Sequence, residues 1–250
     1  MRFRDRVCLV TGGGRGIGAA TARRLARDGW DIAIGYRSDH ESAAAVVAAC
    51  EGEGAAAVAV AGDLSTAEPV VALFDAAATL GPIGALVNNA GVVDRAARVD
   101  EMDEARLQRM FTVNLVGPFL CAGEAVRRMS TLQGGSGGVI VNVSSVAARL
   151  GSAGQYVDYA AAKAGIDLLT MGLAQEVALE GIRVNTVRPG IIRTDIHASG
   201  GEPNRADRLA GHIPLQRPGE ADEIAAVIAW LCSDEASYAT GSSIDVSGGR

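Results

Sequence analysis

The sequence predicts an α/β fold: a single, doubly wound parallel sheet of about seven strands with helices on both faces. Three observations lead there. Short apolar runs alternate with longer amphipathic stretches along the whole chain, several runs are continuously apolar, and glycines cluster just after the first run. Strand–helix alternation with short connections produces right-handed βαβ units. Continuously apolar runs fit strands that are covered on both faces.

The expected strands are 6–10, Asp31–Tyr36, 55–61, 85–88, 138–144, 183–188 and Ser243–Val246, and the expected helices Gly16–Arg27, 41–51, 67–79, 104–129, 156–179 and 220–231. Ser65, Thr66 and Glu68 ahead of an apolar run form a capping signal, and Pro218-Gly219-Glu220 opens the last helix. Gly134-Gly135-Ser136-Gly137-Gly138 is too short for an interdomain linker and is expected as a flexible loop before the fifth strand. No repeat, linker or shift in composition marks a boundary. Residues 1–250 are therefore expected to form one domain, with a substrate-covering segment at about 191–215.

Composition narrows the function classes. Of 250 residues, 48% are hydrophobic and 21% charged, the balance of a soluble globular protein. Only 4% are aromatic, so the core must be built from Ala, Val, Leu and Ile. A net charge of −6 with no run of Lys or Arg argues against a nucleic-acid surface, which needs concentrated positive charge. The short apolar run after the charged start is too brief for a signal peptide or a membrane span, and a cytoplasmic location is expected. Cys8, Cys50, Cys121 and Cys232 are scattered, which reads as reduced core thiols. With His40, His197 and His212 they make no zinc-ligand spacing, and no metal is expected.

Thr11-Gly12-Gly13-Gly14-Arg15-Gly16-Ile17-Gly18 follows the first strand and opens the first helix. A dinucleotide pyrophosphate needs backbone approach closer than a Cβ permits, and a helix N-terminus with unpaired N–H groups. Gly12, Gly16 and Gly18 have the Gly-x-x-x-Gly-x-Gly spacing. A tight turn without a ligand is the bland alternative, but the strand–turn–helix context favours a nucleotide. NAD-preferring sites place an acidic residue at the end of the second strand, where this chain reads Gly35-Tyr36-Arg37-Ser38. Arg37 cannot accept from a 2′-hydroxyl but can pair with a 2′-phosphate, and Arg15 can reach the same group. NADP(H) is therefore expected ahead of NAD(H), which stays open.

Chemistry is suggested further downstream. Tyr159 and Lys163 are four residues apart and share a helix face, and Ser145 ends the fifth strand, where doubly wound sheets build their sites. Together with the glycine turn, these residues identify a resemblance to the short-chain dehydrogenase/reductase family over nearly the whole chain. It rests on Thr11–Gly18, Asn88-Asn89-Ala90-Gly91, Asn114, Ser145, Tyr159-x-x-x-Lys163 and Pro189-Gly190-x-x-x-Thr194.

The resemblance implies a Rossmann-type sheet and transfer of a hydride between the nicotinamide cofactor and a ketone or secondary alcohol. It makes Tyr159 the proton-transferring acid/base, Ser145 the holder of the substrate oxygen, and Lys163 the partner of the nicotinamide ribose. Lys163 is expected to pull the Tyr159 pKa below its usual value of about 10. The resemblance further implies that Gly12, Arg15, Gly16, Ile17 and Gly18 cradle the pyrophosphate and that Asp63 meets the adenine edge. Asn88, Ala90 and Gly91 would line the cleft, and Pro189, Gly190, Ile192 and Thr194 would hold the nicotinamide end. Asn114 completes the catalytic set. Pro118, four residues on, has no N–H and would leave the Asn114 carbonyl free for a water-borne proton relay, a packing kink being the alternative.

Ser145 and Tyr159 are 14 positions apart, one more than is usual in the family, and the extra residue falls within Tyr156-Val157-Asp158. Tyr156 is a decoy, since Ala160 stands four residues after it. In the covering segment Arg193, His197, Glu202 and Arg205 are candidate substrate contacts, and their polarity hints at a small polar substrate or a carbonyl on a polar carrier. A 3-oxoacyl thioester reductase is the alternative enzyme, and a nucleotide-sensing or scaffolding protein the non-enzyme alternative. A homo-oligomer, tetramer or dimer, is implied through the helices at 104–129 and 156–179 and the C-terminal region.

Overall fold

The computed structural model describes residues 6–250, without the side chain of His197. The charged start of the chain and His197 as a substrate contact thus lie outside the described residues. Strands β1 (Val7–Thr11), β2 (Asp31–Tyr36), β3 (Ala57–Ala61), β4 (Ile83–Asn88), β5 (Gly138–Val143), β6 (Ile182–Pro189) and β7 (Ser243–Val246) form one sheet, in the order β3-β2-β1-β4-β5-β6-β7. Every neighbouring pair is parallel.

Side chains alternate across a strand, so a strand that is apolar at every position must be covered twice. Cys8 and Val10 of β1 join one core with α1 (Gly16–Arg27), α2 (His40–Gly52) and α10 (Ala221–Cys232). Val7 and Leu9 join the opposite core with α3 (Ala67–Ala78), α5 (Gly117–Met129) and α7 (Val157–Val177). All four cysteines are free and buried. The remaining helices are α4 (Glu104–Phe111) and three single turns: α6 (Ala147–Leu150), α8 (Ile196–Ser199) and α9 (Arg205–Arg208).

Local details differ from expectation for physical reasons. The helix expected at 104–129 is broken by a π-helical turn, Thr112–Val116, in which Gly117 N–H reaches back to the Thr112 carbonyl. Pro118 has no N–H to continue the normal ladder, and such bulges often sit at functional sites. The capping signal before α3 is not used as a side-chain cap: Thr66 makes none. Instead the Ser65 and Thr66 hydroxyls donate to Asp63. At α10 the expected opening forms a capping box between Glu220 and Glu223.

The glycine stretch before β5 is tightly packed, not a loose loop. A Cβ on Gly135, Gly137 or Gly138 would stand 2.4, 2.5 and 2.6 Å from backbone atoms of Met129, Gly181 and Gly84. Backbone N–H groups of Gly135, Gly137 and Gly138 donate to Ser130, Met129 and Gly181.

Candidate active site

β1 leads to β2 on one side, whereas β4 lies on the other, so the sheet changes direction between β1 and β4. Loops diverge beyond the carboxyl ends of these strands and leave a crevice, the usual ligand position in this architecture. Here the crevice is a cavity of about 840 Å³. It takes in Gly12, Arg15, Gly16 and Ile17 from the glycine turn, and Arg37 and Asp63 after β2 and β3. Asn88, Ala90 and Gly91 after β4, Ser145 after β5, Tyr159 and Lys163 of α7, and Pro189, Gly190, Ile192 and Thr194 after β6 complete the set.

Two of the residues expected to serve catalysis or the cofactor do not face the cavity. Gly18 lies behind the turn, where a Cβ would be 2.3 Å from the Gly12 carbonyl oxygen, so its absent side chain lets helix and turn meet. Asn114 is fully buried. Its amide behaves like a stretch of backbone: Oδ1 accepts Val92 N–H at 3.0 Å, and Nδ2 donates to the Val92 and Met110 carbonyls at 3.0 and 2.9 Å. Gly91 is needed beside it, because a Cβ there would lie 2.9 Å from Asn114 Oδ1 and 3.4 Å from Lys163 Nζ. The side chain of Asn114 is thus a brace for the cavity wall.

The turn itself is pinned by two residues to which the sequence gave no individual role. Thr11 Oγ1 accepts the N–H groups of Asn89 and Ala90 at 2.9 and 3.0 Å. Asn89 Nδ2 donates to the carbonyls of Thr11 and Gly12 at 2.9 and 3.2 Å. Their only trace in the sequence is membership of the two motifs.

These features fit a dinucleotide. Gly12 and Gly16 have φ of 63° and 54°, the left-handed region that glycine adopts without strain. The N-terminus of α1 has no side-chain cap, so its first N–H groups face the crevice for an anion. Asn88 Oδ1 is buried without a hydrogen-bond partner, although Asn88 Nδ2 donates to Asn142 Oδ1 at 3.0 Å. An orphaned acceptor on the cavity wall is satisfied when a ligand donor arrives.

Beyond β2 and β3, Arg37 and Asp63 approach to 3.8 Å with both side chains exposed. The nearby Asp39 carboxylate is occupied as the cap of α2, accepting from Ser42 N–H at 3.0 Å and Ser42 Oγ at 2.8 Å. Those bonds hold its pKa below the usual range.

At the other end of the cavity, Lys163 Nζ donates to the Val143 carbonyl at 2.8 Å and stands 5.6 Å from the centre of the Tyr159 ring. Burial lowers the Lys163 pKa to about 8, against the opposing pull of Asp167. The expected lowering of Tyr159 is not found. Burial pushes its phenol up to about 12, and only a hydrogen bond with Ser145 acts the other way. Desolvation of the phenolate outweighs the Ser145 hydrogen bond here, and Tyr159 rests in its protonated form. Ser145 Oγ also accepts Ala147 N–H at 3.1 Å, which fixes its rotamer.

Of Arg193, Glu202 and Arg205, only Arg205 faces the cavity, with Thr194, Asp195 and Ser199 of the same segment beside it. Its guanidinium lies 5.1 Å from the Tyr156 ring centre, with Nη1 3.1 Å from Glu202 and Nη2 2.5 Å from Gln155 Oε1. Arg193 is tied to Asp207 and Glu220, and Glu202 to Arg205 and Arg208. Val92, Val93, Leu150, Ile191 and Ile196 add an aliphatic part to the lining at this end, beside the polar Ser152, Gln155, Asp195 and Ser199.

A family model described as enoyl-(acyl carrier protein) reductase matches residues 12–250. The chain is 52% identical to an uncharacterized oxidoreductase, YgfF, of Escherichia coli (strain K12), over 98% of this chain and 99% of the relative. It is 41% identical to 3beta-hydroxysteroid dehydrogenase 1 of Eggerthella lenta, over 99% and 94%. A solved short chain dehydrogenase from Burkholderia cenocepacia J2315, in complex with NADP, superposes with a TM-score of 0.90 at 34% identity, covering 100% of this chain and 99% of the other. The sheet order, the glycine turn and these matches agree: this chain is an oxidoreductase of the short-chain dehydrogenase/reductase family.

Proposed function

We propose that the protein interconverts a ketone and the corresponding secondary alcohol with NADP(H), using Tyr159 as the acid/base. The observation that carries this reading is the gathering of Tyr159, Ser145 and Lys163 on one wall of the cavity whose far end is the glycine turn. When bound, the nicotinamide supplies or accepts the hydride. Tyr159, protonated at neutral pH, gives its phenolic proton to the carbonyl oxygen in reduction. The Ser145 hydroxyl donates to the same oxygen and steadies its developing charge. Lys163 holds the ribose and favours the phenolate that proton donation leaves behind.

The NADP(H) preference is supported by Arg37 and Arg15, both on the cavity at its adenosine end, and by the engagement of Asp39 elsewhere. The substrate end sets Val92, Val93, Leu150, Ile191 and Ile196 beside Ser152, Gln155, Asp195, Ser199 and Arg205, which suits a ketone with both an apolar body and polar substituents. A homo-oligomer is supported by Phe119 of α5 and by Leu168 and Met171 of α7, large apolar side chains left exposed.

A screen of ketones and secondary alcohols against NADPH and NADH, followed at the nicotinamide absorbance, tests the reading. It expects turnover with cyclic or aliphatic ketones and a higher kcat/KM with NADPH. A preference for NADH overturns the cofactor assignment. Unaltered turnover in Tyr159→Phe overturns the mechanism.

A further inference from the structure

The first turn of α7 holds a charge pair that the proposed chemistry leaves unused. Asp158 directly precedes Tyr159, and its side chain is 0% exposed. Its partner, Arg106, comes from α4. Arg106 Nε lies 2.7 Å from Asp158 Oδ2, and Nη2 lies 3.3 Å from Oδ1. The same Oδ1 accepts the backbone N–H of Tyr159 at 2.9 Å. The third guanidinium nitrogen, Nη1, donates to the Arg95 carbonyl at 2.8 Å. Beside it, Ala97 N–H donates to the Gln155 carbonyl at 3.0 Å. Helix α4, the wall segment after β4 and the start of α7 are therefore joined one residue before Tyr159.

Neither Arg106 nor Asp158 lines the cavity, so neither touches what binds there. Nor is a buried pair an efficient source of stability, because desolvating two charges offsets most of their attraction. What a planar fork on a carboxylate does supply is a fixed geometry. The need for it is local. Ser145 follows directly from the sheet, whereas Tyr159 follows a run of turns in which Gly151, Ser152 and Gly154 have φ of 76°, 49° and 68°. Those turns separate the first turn of α7 from β5, to which the helix backbone is next tied at Lys163, whose carbonyl accepts Ser144 Oγ at 2.9 Å, and the extra residue in this stretch lengthens the span.

The geometry points to Arg106 and Asp158 as positioning residues that set where the Tyr159 phenol stands relative to Ser145 and the substrate oxygen. This role rests on the reading of Tyr159 as the acid/base. It deepens that reading by naming what holds the acid in place. Arg106 is the hub: it fastens the backbone N–H of Tyr159, through Asp158, to the wall segment that carries Val92 and Val93.

The test uses the full-length enzyme with NADPH and the best ketone from the substrate screen. Arg106→Met/Asp158→Leu removes both charges together, so no buried charge is left unpaired, although the Tyr159 N–H and the Arg95 carbonyl lose these partners. Arg106→Met/Asp158→Asn keeps an acceptor for Tyr159 N–H while breaking the ion pair. Arg106→Lys keeps the charge without the fork, and Tyr159→Phe is the reference.

The expected result for both double variants is a Kd for NADPH within about twofold of wild type and a little-changed KM, with kcat lower by about 10- to 100-fold. The primary isotope effect with 4-deuterated NADPH should rise as the chemical step becomes limiting, and Arg106→Lys should not restore kcat. A kcat within about twofold of wild type in either folded double variant overturns the positioning role. So does a loss shared equally by NADPH affinity and thermal stability. If only one double variant folds, it decides by the same readouts. If Tyr159→Phe turns over like wild type, the acid/base reading fails and the positioning role fails with it. If Tyr159→Phe is inactive while the pair variants are not, only the positioning role fails.

Discussion

Gly18→Ala is the sharpest single test of the glycine turn. An added Cβ would stand 2.3 Å from the Gly12 carbonyl oxygen, 2.5 Å from Asn89 Nδ2 and 2.9 Å from the Gly12 carbonyl carbon. Ordinary van der Waals contact begins near 3.4 Å, so helix α1 and the turn must part by about 1 Å. No rotamer change relieves this, because two of the three atoms are backbone and the third is the amide that clamps Thr11 and Gly12. Overpacking of this kind costs ~1–3 kcal/mol, and in a chain of this size ~1 kcal/mol lowers Tm by roughly 2–4 °C. Opening the turn also misplaces the N–H groups meant for the pyrophosphate, so NADPH affinity should fall at least about tenfold, or ~1.4 kcal/mol. Gly52→Ala is the matched control: nothing lies within 4 Å of its Cβ position, it closes α2, and its φ is not left-handed. There alanine should stabilise by up to ~1 kcal/mol through helix propensity. Thermal unfolding and NADPH fluorescence titration of both variants decide the matter. If Gly18→Ala keeps its Tm and binds NADPH within about twofold of wild type, the close-approach argument is wrong.

Tyr159→Phe removes only the phenolic hydroxyl; NADPH binding should persist while turnover drops by about 10²- to 10⁴-fold, as a stopped or initial-rate assay will read. Arg37→Ala should weaken NADPH by about tenfold or more and leave NADH unchanged, measured as paired Kd values; equal effects on both would remove Arg37 from the 2′-phosphate. Lys163 carries a pH signature. Its pKa is near 8 in the folded chain and 10.5 in the reference state, so folding disfavours the protonated form. The cost of burying the ammonium is full below pH 8 and fades as pH rises toward 10.5, and it is on the order of 3 kcal/mol. Without cofactor, Lys163→Met should therefore gain Tm over wild type near pH 7, and the gain should shrink by about pH 10. A gain that does not depend on pH would show that folding does not lower the Lys163 pKa.

Much of this molecule is legible in its sequence because the signals are local or periodic. Cys8 and Val10 pack on one face of β1 and Val7 and Leu9 on the other, so the unbroken apolar run already implied a doubly covered parallel strand. The glycine turn announced itself because backbone approach tolerates no other residue there. Tyr159, Ser145 and Lys163 were legible through their order and spacing, which the fold converts into one cavity wall.

Other features exist only once distant segments meet. The side chain of Asn114 proved to be a brace on Val92, a pairing that no spacing encodes. The π-helical turn at Thr112–Val116 was hidden because the helical pattern runs on through it, and only the missing N–H of Pro118 hinted at a break. Arg193 and Glu202 read as substrate contacts from composition, yet they are consumed in ion pairs across the covering segment. The elevated pKa of Tyr159 follows from burial, which is a property of the assembled fold. The Arg106–Asp158 pair joins residues 52 positions apart. The sequence by itself determined the sheet, the nucleotide turn and the identity of the chemical groups, because each depends on neighbours along the chain. The tertiary structure decided which of those groups face the cavity and which stand behind it, because desolvation and pairing depend on neighbours in space.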